Sequence, residues 1–359
     1  MYRSAVCEKK SERASELLLA IRNHVPQRLI DDESYDNLIK TASSVPINFA
    51  LSPFLLECSL DDSSRTADLS FGLPVSDYCH AFQAFGLDKG HSILPESISS
   101  MIGQVGTLLK NQLCMIWLEY DVGKKPSSFP SLFLTPKTGS PSQAMQIVKD
   151  IRQELGELYI DAQYSQKAGE VFQRLPDKSS VRQIGIMASR SATPLRLCLA
   201  GLDRSGWQKI ANFLDKVEYG SCCRELSILY EELEPFVDIC DLSLDLTERI
   251  EPRIGLELMI RQRNPQREQA WNQVLNKLER EGLCSQDKMD EVLNFYGFDS
   301  IIGNQVPWPR SLTDYWKEHK EHCCSFFIWC INHLKICFDP AVGTSAKVYL
   351  KIIHHWKDL

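Results

Sequence analysis

Residues 239–259 read ICDLSLDLTERIEPRIGLELM, and that stretch decides the fold class. Leu242, Leu244 and Leu246 fall on one face of an extended chain; Asp241, Ser243 and Asp245 fall on the other. Past a polar break marked by Pro252, Ile254, Leu256 and Leu258 repeat the apolar side against Arg253, Gly255 and Glu257. A period of two with one apolar face predicts two half-buried strands joined as a hairpin.

The same signature recurs at Phe54–Phe71 (FLLECSLDDSSRTADLSF), Met115–Thr135 (MIWLEYDVGKKPSSFPSLFLT), Val181–Ala200 (VRQIGIMASRSATPLRLCLA) and His333–Leu350 (HLKICFDPAVGTSAKVYL). Helical patterns occupy intervals between them. These are Pro141–Leu158 with Ser140 as cap, Gly206–Val217 after Ser205, Arg224–Phe236, Pro265–Arg280 between a capping Asn264 and Gly282, and Leu312–Ile331. The hairpins recur about every sixty residues, a period that signals a closed or stacked repeat architecture. Five such helix–helix–hairpin units supply ten strands. An open antiparallel sheet that wide leaves two bare edges, and twist favours curling it shut. The expected fold is therefore α+β: a ten-stranded antiparallel barrel with its helices outside, one domain over residues 1–359. Gly282–Pro309 reads as an insertion, either a lid over one mouth or a packed surface loop.

Composition bounds the function. With 359 residues, 43% hydrophobic and 24% charged, the chain can bury a large core. A net charge of −7 without a basic stretch argues against a nucleic-acid partner. The first residues, MYRSAVCEKKSERASELLLAIRN, lack the apolar core of a signal peptide, and no apolar run has the length of a membrane span. A cytoplasmic protein is expected, and thirteen scattered cysteines without a C-x-x-C pair fit free thiols.

Alternation also sorts the side chains. Leu56, Cys58 and Leu60 should face the helices, which turns Glu57, Ser59 and Asp61 inward. By the same rule Trp117, Glu119, Asp121, Arg196, Cys198, Asp241, Ser243, Asp245, Arg253, Gly255 and Glu257 line the lumen. His333, Lys335, Cys337, Lys347, Tyr349 and Lys351 join them from the last hairpin. A polar lumen carrying both signs of charge needs water, a ligand or internal pairs, for example Arg253 with Asp245.

Residues 52–71 (SPFLLECSLDDSSRTADLSF) and 240–258 (CDLSLDLTERIEPRIGLEL) resemble segments of the ABBA, or PT-barrel, aromatic prenyltransferases. The likeness lies in a Ser-Pro dipeptide before a strand bearing an acid, and in a strand–turn–Arg strand pattern. The architecture resembles that family over most of the chain; the motifs are short. The resemblance implies an enzyme of natural product biosynthesis that moves an allylic group from its diphosphate to an aromatic or peptide acceptor inside the barrel. By position Glu57 falls on the acid that takes the acceptor's proton. Arg196, Arg253, Lys335, Lys347 and Tyr349 fall on the diphosphate cradle, and Trp117 and Tyr349 on the aromatic shield. Glu119 and Glu257, turned inward by alternation and not by the resemblance, join the expected substrate-binding residues. The sequence departs from the fungal indole pattern at Asp68, Ser70, Ser131, Phe133 and Glu257, where basic residues or tyrosines would stand. With acids at least matching bases, Mg²⁺ could be required to bridge them to a diphosphate.

A second reading drops the prenyl donor and lets Glu119, Asp121, Asp241, Asp245 and Glu257 recognise a small cationic or peptide ligand. A third makes the lumen self-satisfied and the protein a non-enzymatic interaction module. Asp31, Asp32 and Asp36 (DDESYD) read as the acidic start of a helix. His319, His322, Cys323 and Cys324 (HKEHCC) place His319 and Cys323 at helical i,i+4 spacing, too few ligands for zinc. Phosphate-binding glycine loops and the G-x-S-x-G elbow are absent from the sequence.

Overall fold

The stretch 239–259 folds as the hairpin its alternation demands, and hairpins of the same kind build the whole sheet. The computed structural model describes residues 12–50, 53–75, 103–106, 108–123, 129–155, 160–190, 194–202, 206–219, 223–302 and 308–358. Its strands are β1 (Phe54–Ser59), β2 (Ala67–Pro74), β3 (Leu113–Tyr120), β4 (Ser131–Pro136), β5 (Ser180–Ile186), β6 (Leu195–Ala200), β7 (Ile239–Leu246), β8 (Ile250–Met259), β9 (Gly297–Ser300), β10 (Cys323–Asp339) and β11 (Gly343–Asp358). Neighbours pair antiparallel in the order β11-β1-β2-β3-β4-β5-β6-β7-β8-β10, and β10 pairs back onto β11, which closes a ten-stranded barrel. Closure leaves no open edge in the ring.

Helices plate the outside. They are α1 (Ala14–Ile21), α2 (Asp32–Ala42), α3 (Ile47–Ala50), α4 (Pro141–Leu155), α5 (Ala162–Arg174), α6 (Trp207–Lys216), α7 (Arg224–Leu233), α8 (Arg267–Arg280), α9 (Gln286–Asn294) and α10 (Arg310–His319). α1 packs on α2, α4 on α5, α6 on α7 and α8 on α9, so pairs precede hairpins as the repeat requires. Leu56, Cys58, Leu118, Leu197, Leu244, Leu256 and Val348 are fully or almost fully buried in the core between barrel and helices. None of the described helices is long and apolar enough to cross a membrane.

Helix ends follow their local chemistry. Asp31 caps α2 by accepting from the Ser34 N–H at 2.8 Å, while Arg22 reaches Asp32 at 3.1 Å and Asp36 at 2.9 Å. The acidic cluster is thus a helix start. Ser140 caps α4, accepting from the Gln143 N–H at 3.2 Å. α8 begins later than its sequence pattern predicts: Asn264 accepts from the Gln266 N–H at 2.9 Å in a turn, and the helix opens at Arg267. It closes at Gly282, which adopts φ +71. Ser205, the expected cap of the 206–217 helix, lies outside the described residues.

The largest correction concerns Leu312–Ile331. The helix ends at His319, and from Cys323 the chain is strand. CCSFFIWCI is apolar on both faces, so its period is silent, and a strand rich in aromatic and β-branched residues results. His319 and Cys323 consequently share no helix face; the His319 ring stacks on Tyr315 at 4.1 Å. Within Gly282–Pro309 the described residues carry α9 and β9, and β9 pairs with β10.

Candidate active site in the barrel lumen

Directly opposite residues of antiparallel strands share a face, so the inward rungs can be read around the barrel. One rung runs Gly72, Trp117, Phe133, Gly185, Arg196, Asp245. A second runs Asp241, Glu257, Lys335, Lys347, Ser59. A third runs Asp68, Glu57, Tyr349, His333. Ser70, Glu119 and Ser131 make a fourth.

These rungs enclose two chambers that share part of their walls. The charged one, of about 30 Å³, is lined by residues that include Glu57, Asp68, Arg196, Arg253, Lys335 and Lys347. The aromatic one, of about 130 Å³, is lined by residues that include Trp117, Phe133, Glu257, His333 and Tyr349. Glu119, Arg196, Lys335 and Tyr349 border both. Glu57, Trp117, Glu119, Arg196, Arg253, Glu257, Lys335, Lys347 and Tyr349 each line one or both chambers, whereas Ser59, Asp61, Cys198, Asp241 and Lys351, also expected inward, line neither. Arg182 and Arg190 were not singled out and also line the chambers. Arg182 sits where β5 shifts register between Val181 and Gln183, which breaks the alternation that would have revealed it. Arg190 belongs to the β5–β6 turn, where no alternation applies.

Glycines shape the walls. A Cβ on Gly72 would meet the Trp117 ring at 2.9 Å, and one on Gly185 would meet Phe133 at 2.7 Å. The two rings thus lie across neighbouring backbone that only glycine leaves bare. At the other end of the lumen Gly255 does the same for Lys335, at 2.7 Å.

The charges are mostly paired. Arg196 donates two bonds to Asp245, at 2.6 and 2.8 Å, and Arg190 adds a third at 3.2 Å. Arg253 was the expected partner of Asp245. Cross-strand position decides instead: Arg196 stands directly opposite, whereas the β7–β8 ladder shifts at Asp245. Lys335 donates to Glu257 at 3.0 Å and to Ser243 at 3.3 Å. Lys347 pairs with Glu57, and Arg182 with Asp241. Among the described residues Arg253 makes no ion pair; its guanidinium lies near the Cys337 thiol, and both line the charged chamber.

Two buried glutamates respond oppositely to this field. For Glu57, burial would favour the neutral acid, but the charges of Lys347 and Lys335 outweigh it and hold the carboxyl far below its usual range. For Glu119, burial and the nearby charge of Glu57 act together and raise it to about 8. Among the described residues the Glu119 carboxyl has no hydrogen-bond or ion-pair partner. Asp68, opposite Glu57, rises to about 6 through burial and that same neighbour. Burial lowers His333, stacked on Tyr349 at 4.0 Å, to about 4.

No family model matches the chain, and no curated protein matches it. Among solved structures, the crystal structure of AnaPT from Neosartorya fischeri aligns over 98% of this chain and 94% of that one, with a TM-score of 0.50 and 11% identity. This is the PT-barrel fold. Among the described residues no group of three or more His, Cys, Asp or Glu is placed to hold a metal ion by itself. Glu57, Asp241, Asp245 and Glu257 spend their oxygens on lysine and arginine.

Proposed function

We propose that this PT barrel is an aromatic or peptide prenyltransferase, and one observation carries the reading: a chamber lined by five bases and five acids shares its wall with an aromatic one. Charge-rich walls suit a diphosphate, and ring faces suit an allylic cation. The donor's diphosphate binds Arg253, the cation left without a carboxylate, and recruits Lys347 and Arg196. The allylic C–O bond breaks, and its electron pair leaves with the diphosphate. Trp117, Phe133 and Tyr349 shield the cation while an acceptor carbon or heteroatom forms the new bond. Glu57 then takes the acceptor's proton. Its pairing with Lys347 makes it a weak base in the free protein. A diphosphate that draws Lys347 away restores its basicity, so donor binding switches the base on. Glu119, neutral at pH 7, adds no repulsion against the donor and can donate a hydrogen bond.

The test is mass spectrometry of indoles, aromatic amino acids and peptides incubated with protein and dimethylallyl or geranyl diphosphate, with and without Mg²⁺. A one-prenyl mass gain is expected that vanishes in Glu57→Gln and survives in Glu119→Gln. No adduct from any pairing, or full turnover by Glu57→Gln, overturns the assignment.

A second reading has its own observation. Both chambers are smaller than the ~300–1,000 Å³ of ordinary ligand pockets, and most lumen cations already hold carboxylates. That arrangement suits a small cationic or peptide ligand bound at Asp121 and at Glu119, which gives up its proton as the cation binds, without a prenyl donor. Calorimetry with amines and basic peptides distinguishes it: binding weakened by salt and by Glu257→Gln supports this reading, and no heat rejects it.

A further inference from the structure

The lumen wall does not stop at the barrel mouth. Leu55, which lines the aromatic chamber, stands opposite Lys351, and Lys351 stands opposite Cys330. β1 ends its pairing with β11 at Phe54 and Ile352, yet β10 and β11 continue together to Cys323 and Asp358. β9 joins this extension on the far side of β10. Two residues beyond the Leu55 rung, the same face presents Ile353, Ile328 and Phe298 in one row. Two further on, it presents His355, Phe326 and Ser300. The Phe298 and Phe326 rings approach to 6.1 Å, which confirms their common side.

The two faces of the extension differ sharply. The opposite face is covered: Phe327 packs on Trp308, His24 stacks on Trp329 at 4.1 Å, and Trp356 meets Tyr315 of α10. The lumen-side face is open. Phe298 is 68% exposed and Ile328 37%. Large apolar side chains aligned in rows on a solvent face usually mark something that binds there.

We infer that this face is a docking strip for the apolar tail of an elongated prenyl ligand whose reactive end lies in the aromatic chamber. Continuity argues for a single ligand, since the strip extends the chamber wall on the same strands. Its size argues against a protein: three strands span roughly 10 Å, far short of the ~800 Å² per partner of a stable interface. Its length fits a long chain, because the six residues from Tyr349 to His355 cover about 20 Å. The inference deepens the prenyltransferase reading, but it needs only the lumen as ligand site and not the diphosphate.

The experiment uses uncharged prenyl alcohols of ten, fifteen and twenty carbons, titrated into the full chain and followed by tryptophan fluorescence. Affinity should rise on the order of tenfold per added five-carbon unit, about what half-burying that unit gives. Phe298→Ser with Ile328→Ser, two exposed positions, should flatten this dependence and leave the ten-carbon affinity unchanged. A length-independent affinity, no binding, or a gradient that survives the double variant overturns the inference. So does a dimer in ultracentrifugation that the double variant dissociates, because the strip would then be covered by a second copy. A length gradient without any prenyl transfer would sink the transferase reading and leave the strip standing.

Discussion

The two chambers of the lumen are built from the same kind of inward positions and are held open by different forces. The aromatic chamber sets two adjacent large rings between two glycines, so its shape is a matter of packing. The charged chamber interlocks buried acids and bases, so its shape is a matter of electrostatics. Packing defects are local and can be repaired by a neighbour; a buried charge without its partner has nowhere to go. The charged chamber should therefore be rigid and intolerant of change, and the aromatic one adaptable.

The largest effect expected is that of Asp245→Asn, which strands the buried Arg196 guanidinium. Urea unfolding should show a loss of ~3–5 kcal/mol, and a loss below ~1 kcal/mol would mean that Arg196 does not depend on Asp245. The sign of its pH dependence follows from burial being outweighed by Arg196, which lowers Asp245 to about 2. Its contribution is complete above the unfolded value of ~3.9 and fades as pH falls towards about 2.

Glu119 should behave in the opposite sense. Its folded value of about 8 lies above the unfolded ~4.3, so the native state binds the extra proton. Stability from this group is present below pH ~4.3 and declines as pH rises towards 8. Unfolding curves at pH 5, 6.5 and 8 should show wild type losing on the order of 3–4 kcal/mol relative to Glu119→Gln. Parallel curves for the two proteins would place the Glu119 carboxyl in water.

Smaller still is Gly185→Ala, whose new methyl group collides with Phe133 and should cost ~1–3 kcal/mol. Phe133→Leu in the same chain should recover part of that loss by thermal unfolding. If Gly185→Ala proves neutral, the aromatic wall is looser than its contacts imply. Trp117→Phe, a trim of a half-buried ring, should cost under ~1.5 kcal/mol and serves as the mild reference for the other three.

Much of this was legible in the sequence because alternation is a strong signal where one face is buried. Leu242, Leu244 and Leu246 facing the helices necessarily turned Asp241, Ser243 and Asp245 inward, and the same logic placed Glu57, Trp117, Arg196, Lys335 and Tyr349. What escaped was whatever breaks alternation. Arg182 sits at a register shift, Arg190 in a turn, and Cys323–Ile331 is apolar on both sides because one faces α10 and the other is the open strip. Pairing also escaped, since it depends on cross-strand register: nothing in the chain order says that Asp245 meets Arg196 before Arg253. Nor could spacing reveal that Glu57 and Glu119, alike in type and burial, are held in opposite protonation states.

The glycine rungs set how such a lumen can be inherited or redesigned. Gly72 yields space to Trp117, Gly185 to Phe133 and Gly255 to Lys335. Each partnership joins neighbouring strands, and all three join different hairpins. A descendant that gains bulk at one member must surrender it at the other, so new pocket shapes arise in pairs of substitutions, and a library that varies one position at a time will discard the very changes that would give this barrel a new ligand.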